Sequence, residues 1–362
     1  MSLAAGANVD ISKRTCLAKS LDFQIANLRN DGIVFDICNE ESAKAYLSAN
    51  TYLFRIKRYA SNFNKHDDGK YKNLDFAVLK DLAVIDYELR MALEYLVANA
   101  EHDLKVRFNN LLMSNSELDG RRIAKLVDPN DRFVFDEKTG YRNQHDGRPG
   151  KTGIKLKYSP YSDAMVRKYF PDPEIWNLWE CFNLGDLIDS YMKYLESLHL
   201  RDNATKFFGN FRRLRNAVSH SAPLLLDVDR TNKQGHVPQT EFVDGCLCDL
   251  FQMDNPPAPI PSTIKKSQLV YDYSSFLCMF LIVCNSMPIR RIAAKLMLDL
   301  EQRICKNYEQ YYQGNSECIH LRNTLACIIR ISRAFSEYIK AESDQPHQSG
   351  RLHFIPQPFS VK

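Results

Sequence analysis

The chain has 362 residues, of which 44% are hydrophobic and 25% are charged, and its formal net charge is +4. This length allows one large core or two, whereas the charge is too small to indicate nucleic-acid binding by itself. The ten cysteines form no CxxC pair, and the longest apolar run, at 276–284, is too short to span a bilayer. We therefore expect a cytoplasmic protein with reduced thiols and without a membrane span, a structural metal or a cofactor.

The N-terminal region, from about residue 20 to 113, has a helical pattern. The stretch FQIANLRNDGIVF predicts a helix that stops at Gly32, and EESAKAYLSANTYLFRIKRYASNF predicts another. Over 75–113 apolar residues recur at steps of three and four without Gly or Pro, which predicts one long helix or two nearly continuous ones.

The middle of the chain contains a polar insertion at 128–163, where Gly, Pro, Asn and Asp cluster. Its GRPGKTG segment is similar to a phosphate-binding loop. That loop requires a Gly five positions before Gly150, however, and His145 stands there without a preceding apolar strand. We interpret the insertion as a basic loop or a small hairpin.

The C-terminal half is again helical in pattern. Pro171 and Pro173 mark a helix start, and a later helix ends at Pro223. We expect a polar loop at 227–263 and two or three helices over 264–342, with breaks near Pro288 and Gly314. The sequence thus predicts a single all-α domain over 20–342, followed by an extended tail at 343–362.

The segment LRNAVSHSAP, at 214–223, brings an Arg, an Asn and a His together. Spacing alone is weak, because RTNKQGH at 230–236 contains a similar pair by chance. A five-residue step turns a helix by about 140°, so Arg215 and His220 do not share a face, whereas Arg212, Asn216 and His220 do. One helix therefore closes an Arg–His site only if it bends or ends there, or if a second copy supplies the other half across a symmetric dimer.

These three residue types suit metal-free RNA cleavage. A 2′-hydroxyl attacks the neighbouring phosphate, a His transfers a proton, an Arg stabilises the phosphorane oxygens and an Asn orients the groups. DNA lacks the 2′-hydroxyl, so the mechanism selects RNA. The alternative is structural: Arg215 and Asn216 hold loop carbonyls, and His220 is a partly buried residue at a helix end.

Four segments carry a resemblance to a known family, in that family's order. They are FQIANLRNDGIVFDICNEESAKAYLSANTYLFRIKRY, DLAVIDYELRMALEYLVANAEHDLKVRF, WNLWECFNLGDL and LRNAVSHSAPLLLD. Together they span about residues 23 to 226. The chain resembles the Abi-like family of bacterial abortive-infection proteins (the AbiD/AbiF group), whose core is a HEPN-type helical domain.

The resemblance implies an all-α HEPN-type bundle with additional N-terminal and C-terminal helices. It also implies a homodimer that acts as a metal-independent endoribonuclease of the abortive-infection or toxin type, cutting single-stranded RNA in phage defence. The family's signature Arg, Asn and His fall on Arg215, Asn216 and His220, and its helix acid falls on Glu180, which we expect to hold Arg215. A toxin of this kind needs restraint, by an antitoxin or an RNA regulator.

Further residues have predicted supporting roles. Arg212, Arg213, Lys151 and Lys155 are candidates for RNA contact, although a run of charges is also typical of a plain solvated surface. Asp86 and Arg90 lie four residues apart on the long predicted helix, and we expect a structural ion pair.

One departure from the family pattern bears on activity. Family members commonly follow the signature His with a second His, and this chain has Ser221 there. The resemblance is therefore compatible with an active, a weakened or an inactive nuclease. The main alternative is therefore a non-catalytic RNA-binding protein of the same fold, and a third is a structural or regulatory helical partner.

Overall fold

The computed structural model describes residues 20–113, 182–229, 239–251 and 266–344, together with positions 123, 164, 168, 179, 180, 360 and 361. The predicted insertion at 128–163, with Lys151 and Lys155, lies outside the described residues, as does most of the predicted tail at 343–362. The predicted domain limits stay predictions.

The described residues are mainly helical with almost no strands, which confirms the predicted all-α class. The helices are α1 (Leu21–Asn30), α2 (Glu40–Ala49), α3 (Leu53–Arg58), α4 (Phe76–Met113), α5 (Leu184–Ser197), α6 (Phe208–Ser219), α7 (Gln239–Phe251), α8 (Gln268–Val283), α9 (Met287–Tyr308) and α10 (Ile319–Asp344). Short turns of 3₁₀-helix lie at Tyr59–Asn62, Asn203–Phe207 and Ser316–Cys318, and a π-helical turn lies at Glu309–Gln313. Strand β1 (Leu200–Arg201) pairs antiparallel with β2 (Ser360–Val361). Within the described ranges, no helix is both long and apolar enough to cross a membrane.

The chain forms two compact units, and the first comprises Met1–Ala83 with Asn315–Cys318. Helix α1 ends before Gly32, as predicted, and Gly32 has a φ of 87°. A Cβ at this glycine would lie 2.8 Å from the Cβ of Lys70 and 2.9 Å from the backbone of Tyr71, so the close approach also requires glycine. The second predicted helix is in fact two, because the chain leaves helical geometry between Asn50 and Tyr52.

A buried carboxylate anchors the connection after α1 in this unit. Asp75 accepts the backbone N–H groups of Asp36 and Ile37 at 2.8 and 2.9 Å, and that of Ala77 at 2.7 Å. Asp75 precedes α4, so one side chain fixes both a loop and a helix start.

The second unit comprises Val84–Gly314 with Ile319–Lys362. Its core contains α8, in which every residue from Val270 to Val283 is buried. Helix α4 is one continuous helix of 38 residues, which confirms the prediction of one long helix rather than two. The predicted breaks are also present, since Pro288 lies in the first turn of α9 and Gly314 follows the π-helical turn before α10.

The predicted loop at 227–263 differs from the structure, in which residues 239–251 form α7. The buried residues of α7 follow the spacing of a helix that packs on a core: Val243, Cys246, Leu247 and Leu250. A glycine inside this stretch and the proline-rich segment after it concealed the apolar pattern.

Candidate active site on helix α6

Helix α6 carries the LRNAVSH motif and is strongly amphipathic. Its buried residues include Phe208, Phe211, Leu214 and Val218. The ring of Phe211 stacks on that of Phe276 in α8, with centroids 5.5 Å apart and planes 6° from parallel. This packing fixes the helix about its axis and leaves Arg212, Asn216 and Ser219 exposed.

Arg213 ties α6 to α8 through an ion pair. Its Nε and Nη2 donate to the two carboxylate oxygens of Asp272, at 3.1 and 2.7 Å. Burial raises the pKa of Asp272, and the neighbouring Arg213 opposes that shift. Arg213 was a predicted RNA contact, and its guanidinium is engaged within the protein.

The C-terminus of α6 is a Schellman turn. His220 is the C-cap, and Ser221 has a φ of 52°, in the left-handed region. The N–H of Ser221 donates to the carbonyl of Val218 and that of Ala222 to the carbonyl of Ala217, both at 2.9 Å. The helix therefore ends at the motif histidine, as the nearby proline predicts.

His220 is exposed at this helix end. Within the described part of the chain its imidazole has no hydrogen-bond or ion-pair partner. The histidine is thus exposed, whereas the structural alternative predicts a partly buried residue.

Arg215 is held from two sides. Its Nη2 lies 3.2 Å from Oε2 of Glu101 on α4, and its Nη1 donates to Oδ1 of Asn216 at 3.4 Å. The side chain of Arg215 is 22% exposed and that of Glu101 is 14% exposed. A guanidinium fixed in this way keeps one edge at the surface with a defined orientation.

The carboxylate that contacts Arg215 is therefore Glu101, which was not among the residues predicted from the sequence. Glu180, the predicted partner, lies 3.6 Å from the ammonium of Lys105, and its side chain is 58% exposed. The sequence gives no means of choosing Glu101 among the acids of α4, because the choice depends on where α6 packs.

A buried carboxylate fixes the chain just after the motif. Asp86 is fully buried, and its Oδ1 accepts the backbone N–H groups of Leu224 and Leu225 at 2.5 and 2.8 Å. Its Oδ2 accepts from Nε of Arg90 at 3.0 Å, which confirms the predicted ion pair. Asp86 thus anchors the turn that follows His220 to α4, a role that the spacing of four does not reveal.

Arg212 lies over the start of α5. A Cβ at Gly185 would lie 3.5 Å from its Nη2 and 3.1 Å from Oδ1 of Asn183, the residue that caps α5. The exposed face of α6 thus carries Arg212, Asn216 and His220 at successive turns, with Arg215 at its edge. Two guanidinium groups and an imidazole suit an anionic ligand such as a phosphodiester.

No group of three or more His, Cys, Asp or Glu in the described ranges could hold a metal ion. The other predicted contacts, Lys151 and Lys155, lie outside those ranges.

The family model described as "Abi-like protein" matches residues 45–225, a segment that includes α6 and its closing turn. No curated protein and no solved structure matches the chain.

Proposed function

Since the chain belongs to the Abi-like protein family, we propose that it is a metal-independent endoribonuclease that cleaves single-stranded RNA through Arg215, Asn216 and His220. The observation that carries the proposal is the contrast at the two ends of the motif. Arg215 is fixed by Glu101, whereas the imidazole of His220 is exposed and has no partner in the described residues.

Each residue has a distinct task in the proposed reaction. The 2′-hydroxyl oxygen attacks phosphorus, the bond from phosphorus to the 5′-oxygen breaks, and the products carry a 2′,3′-cyclic phosphate and a 5′-hydroxyl. His220 transfers a proton at one of these oxygens. Arg215 donates to the non-bridging oxygens, where negative charge accumulates, and Asn216 orients the guanidinium through its Oδ1.

The reaction involves two proton transfers, one from the 2′-hydroxyl and one to the 5′-oxygen. The motif of one chain has a single imidazole, because Ser221 occupies the position after His220. We propose that the active form is a homodimer, in which two α6 helices meet and each contributes one His220. The exposed motif face is compatible with such a shared groove.

In the cell this activity would serve abortive infection: cleavage of RNA in the cytoplasm on phage attack. Such an enzyme requires restraint, and we propose an antitoxin protein or an RNA regulator as the partner. Residues Arg212, Lys151 and Lys155 are proposed to contact the substrate backbone.

The test is cleavage of a single-stranded RNA by purified protein in EDTA. Wild-type protein should cut, and His220→Ala should not. His320→Ala is the matched control, since this histidine is also exposed but lies at the start of α10. Retention of RNA without cutting would instead support the non-catalytic RNA-binding protein. Absence of any RNA affinity at low salt would leave only a structural role.

A further inference from the structure

Two aromatic rings are exposed at the short helix α3 of the first unit. Tyr52, just before the helix, is 60% exposed, and Phe54 within it is 68% exposed. Phe54 is the most exposed large hydrophobic side chain in the described part of the chain. Phenylalanine is normally among the more buried residue types, so a ring left at the surface to this extent is available to a ligand.

The segment around these rings is positively charged. Between Glu41 and Asp67 the sequence contains five Lys and Arg residues and no acid. The guanidinium of Arg58 lies over the ring of Phe54, 5.7 Å from its centroid. Among the described residues Arg58 has no ion pair, in contrast to Lys57, which contacts Asp31 at 2.5 Å.

A second pairing of a cation with a ring lies in the same unit. The ammonium of Lys65 lies 4.4 Å from the ring centroid of Tyr71. The backbone N–H of Tyr71 donates to the carbonyl of Asp31, whose carboxylate contacts Lys57 on α3. We group Tyr52, Phe54, Arg58, Lys65 and Tyr71 under the name α3 platform.

We propose that the α3 platform binds single-stranded RNA, with bases stacked on the exposed rings and phosphates held by Arg58 and Lys65. Every nucleobase has a flat face that stacks on an aromatic ring, and flanking cations contact the backbone whatever the sequence. A duplex keeps its bases stacked inside, so this surface selects a single strand. The choice of RNA as the ligand rests on the proposed function. The platform itself belongs to the first unit, whereas the motif helix belongs to the second.

Binding is measured by the fluorescence anisotropy of a labelled single-stranded RNA, using full-length His220→Ala protein so that the RNA stays intact. Adding Phe54→Ala should weaken binding by about 5- to 150-fold, which is the range for loss of one stacked base. Adding Arg58→Ala should weaken binding and lower the slope of log affinity against log salt by roughly one unit. The matched control is Phe23→Ala, which removes another half-exposed ring, on α1.

Equal affinity for the Phe54→Ala and Phe23→Ala proteins would overturn the proposal, as would duplex RNA binding as tightly as the single strand. An effect of Phe54→Ala on binding to anionic vesicles alone would replace RNA with a membrane surface. The two proposals separate cleanly. If wild-type protein does not cut RNA but Phe54→Ala weakens binding, the platform proposal is supported and the nuclease proposal is contradicted. If wild-type protein cuts RNA and Phe54→Ala changes neither binding nor cutting, the nuclease proposal is supported and the platform proposal is contradicted.

Discussion

Oε2 of Glu101, on the long helix α4, lies 3.2 Å from Nη2 of Arg215, on the motif helix α6. Both side chains are mostly shielded from solvent, so water screens this ion pair less than it screens a fully exposed one. It fixes the guanidinium before any substrate arrives. In the proposed nuclease this is preorganisation, and Glu101 is a positioning residue because it acts through Arg215.

Replacing Glu101 should therefore slow catalysis more than it weakens RNA binding. For Glu101→Gln we expect kcat for RNA cleavage to fall between about 10- and 100-fold, because the uncharged amide holds Arg215 less firmly. KM should change by less than about threefold, since Arg215 stays charged. The control is Glu180→Gln, at the exposed acid that contacts Lys105, which should leave kcat unchanged. Equal losses in the two variants would remove Glu101 from the proposed mechanism.

Removing the carboxylate of Asp86, which holds the turn after His220, should destabilise the fold. Asp86→Ala leaves two backbone N–H groups, those of Leu224 and Leu225, without their buried acceptor. We expect the free energy of unfolding in urea to fall by roughly 3 kcal/mol. Asp86→Asn keeps an oxygen for those donors and should cost clearly less. A loss for the alanine variant no larger than that for the asparagine variant would contradict this role.

Ser221 lies in the left-handed region, with a φ of 52°. Glycine adopts this conformation without strain, whereas a residue with a Cβ does not. We compare Ser221→Gly with Ser221→Ala, because both remove the hydroxyl and differ only in the Cβ. The glycine variant should be more stable by about 1 kcal/mol in urea unfolding. Equal stability would show that the Schellman turn imposes no strain at this position.

The pair of Arg213 and Asp272 should make stability depend on pH. Burial holds the pKa of Asp272 above its ordinary 3.8 in the folded state, and Arg213 limits that rise. A carboxyl with a raised folded pKa favours folding at low pH, and that contribution is lost as pH rises through the folded pKa. Arg213→Met removes the opposing charge, so its cost should be small at pH 4 and larger at pH 7.

We expect the difference between the two pH values to be roughly 2 kcal/mol. That is less than for a fully buried pair, because the side chain of Arg213 is 37% exposed. Urea unfolding of both proteins at each pH measures it, with Arg212→Met as the control for removal of an exposed guanidinium from the same helix. A cost for Arg213→Met that is independent of pH would contradict the assignment.

Several features of the fold follow from local sequence. The 38 residues of α4 keep one apolar spacing without Gly or Pro, and the end of α6 is marked by Pro223. These signals depend only on neighbours along the chain, so they can be read before packing is known.

Features that depend on packing could not be read in this way. Glu101 is 114 residues from Arg215, and the backbone groups that Asp86 accepts are 138 and 139 residues away. The exposure of Phe54 likewise depends on packing, since the sequence around it has the pattern of an ordinary amphipathic helix. Helix α7 was not predicted for a local reason, because Gly245 and the proline-rich segment after the helix obscure its apolar spacing.

Metal-independent RNA cleavage through Arg215 and His220 leaves characteristic ends, so the chemistry of the cleaved ends is the most direct test. Wild-type protein in EDTA is incubated with a single-stranded RNA and with a DNA oligonucleotide of the same sequence, and the products are analysed by mass spectrometry. The proposed mechanism predicts RNA fragments ending in a 2′,3′-cyclic phosphate with 5′-hydroxyl partners, intact DNA, and no cleavage by Arg215→Ala or His220→Ala. Equal cutting of both oligonucleotides, or cutting of RNA that survives both substitutions, would contradict it.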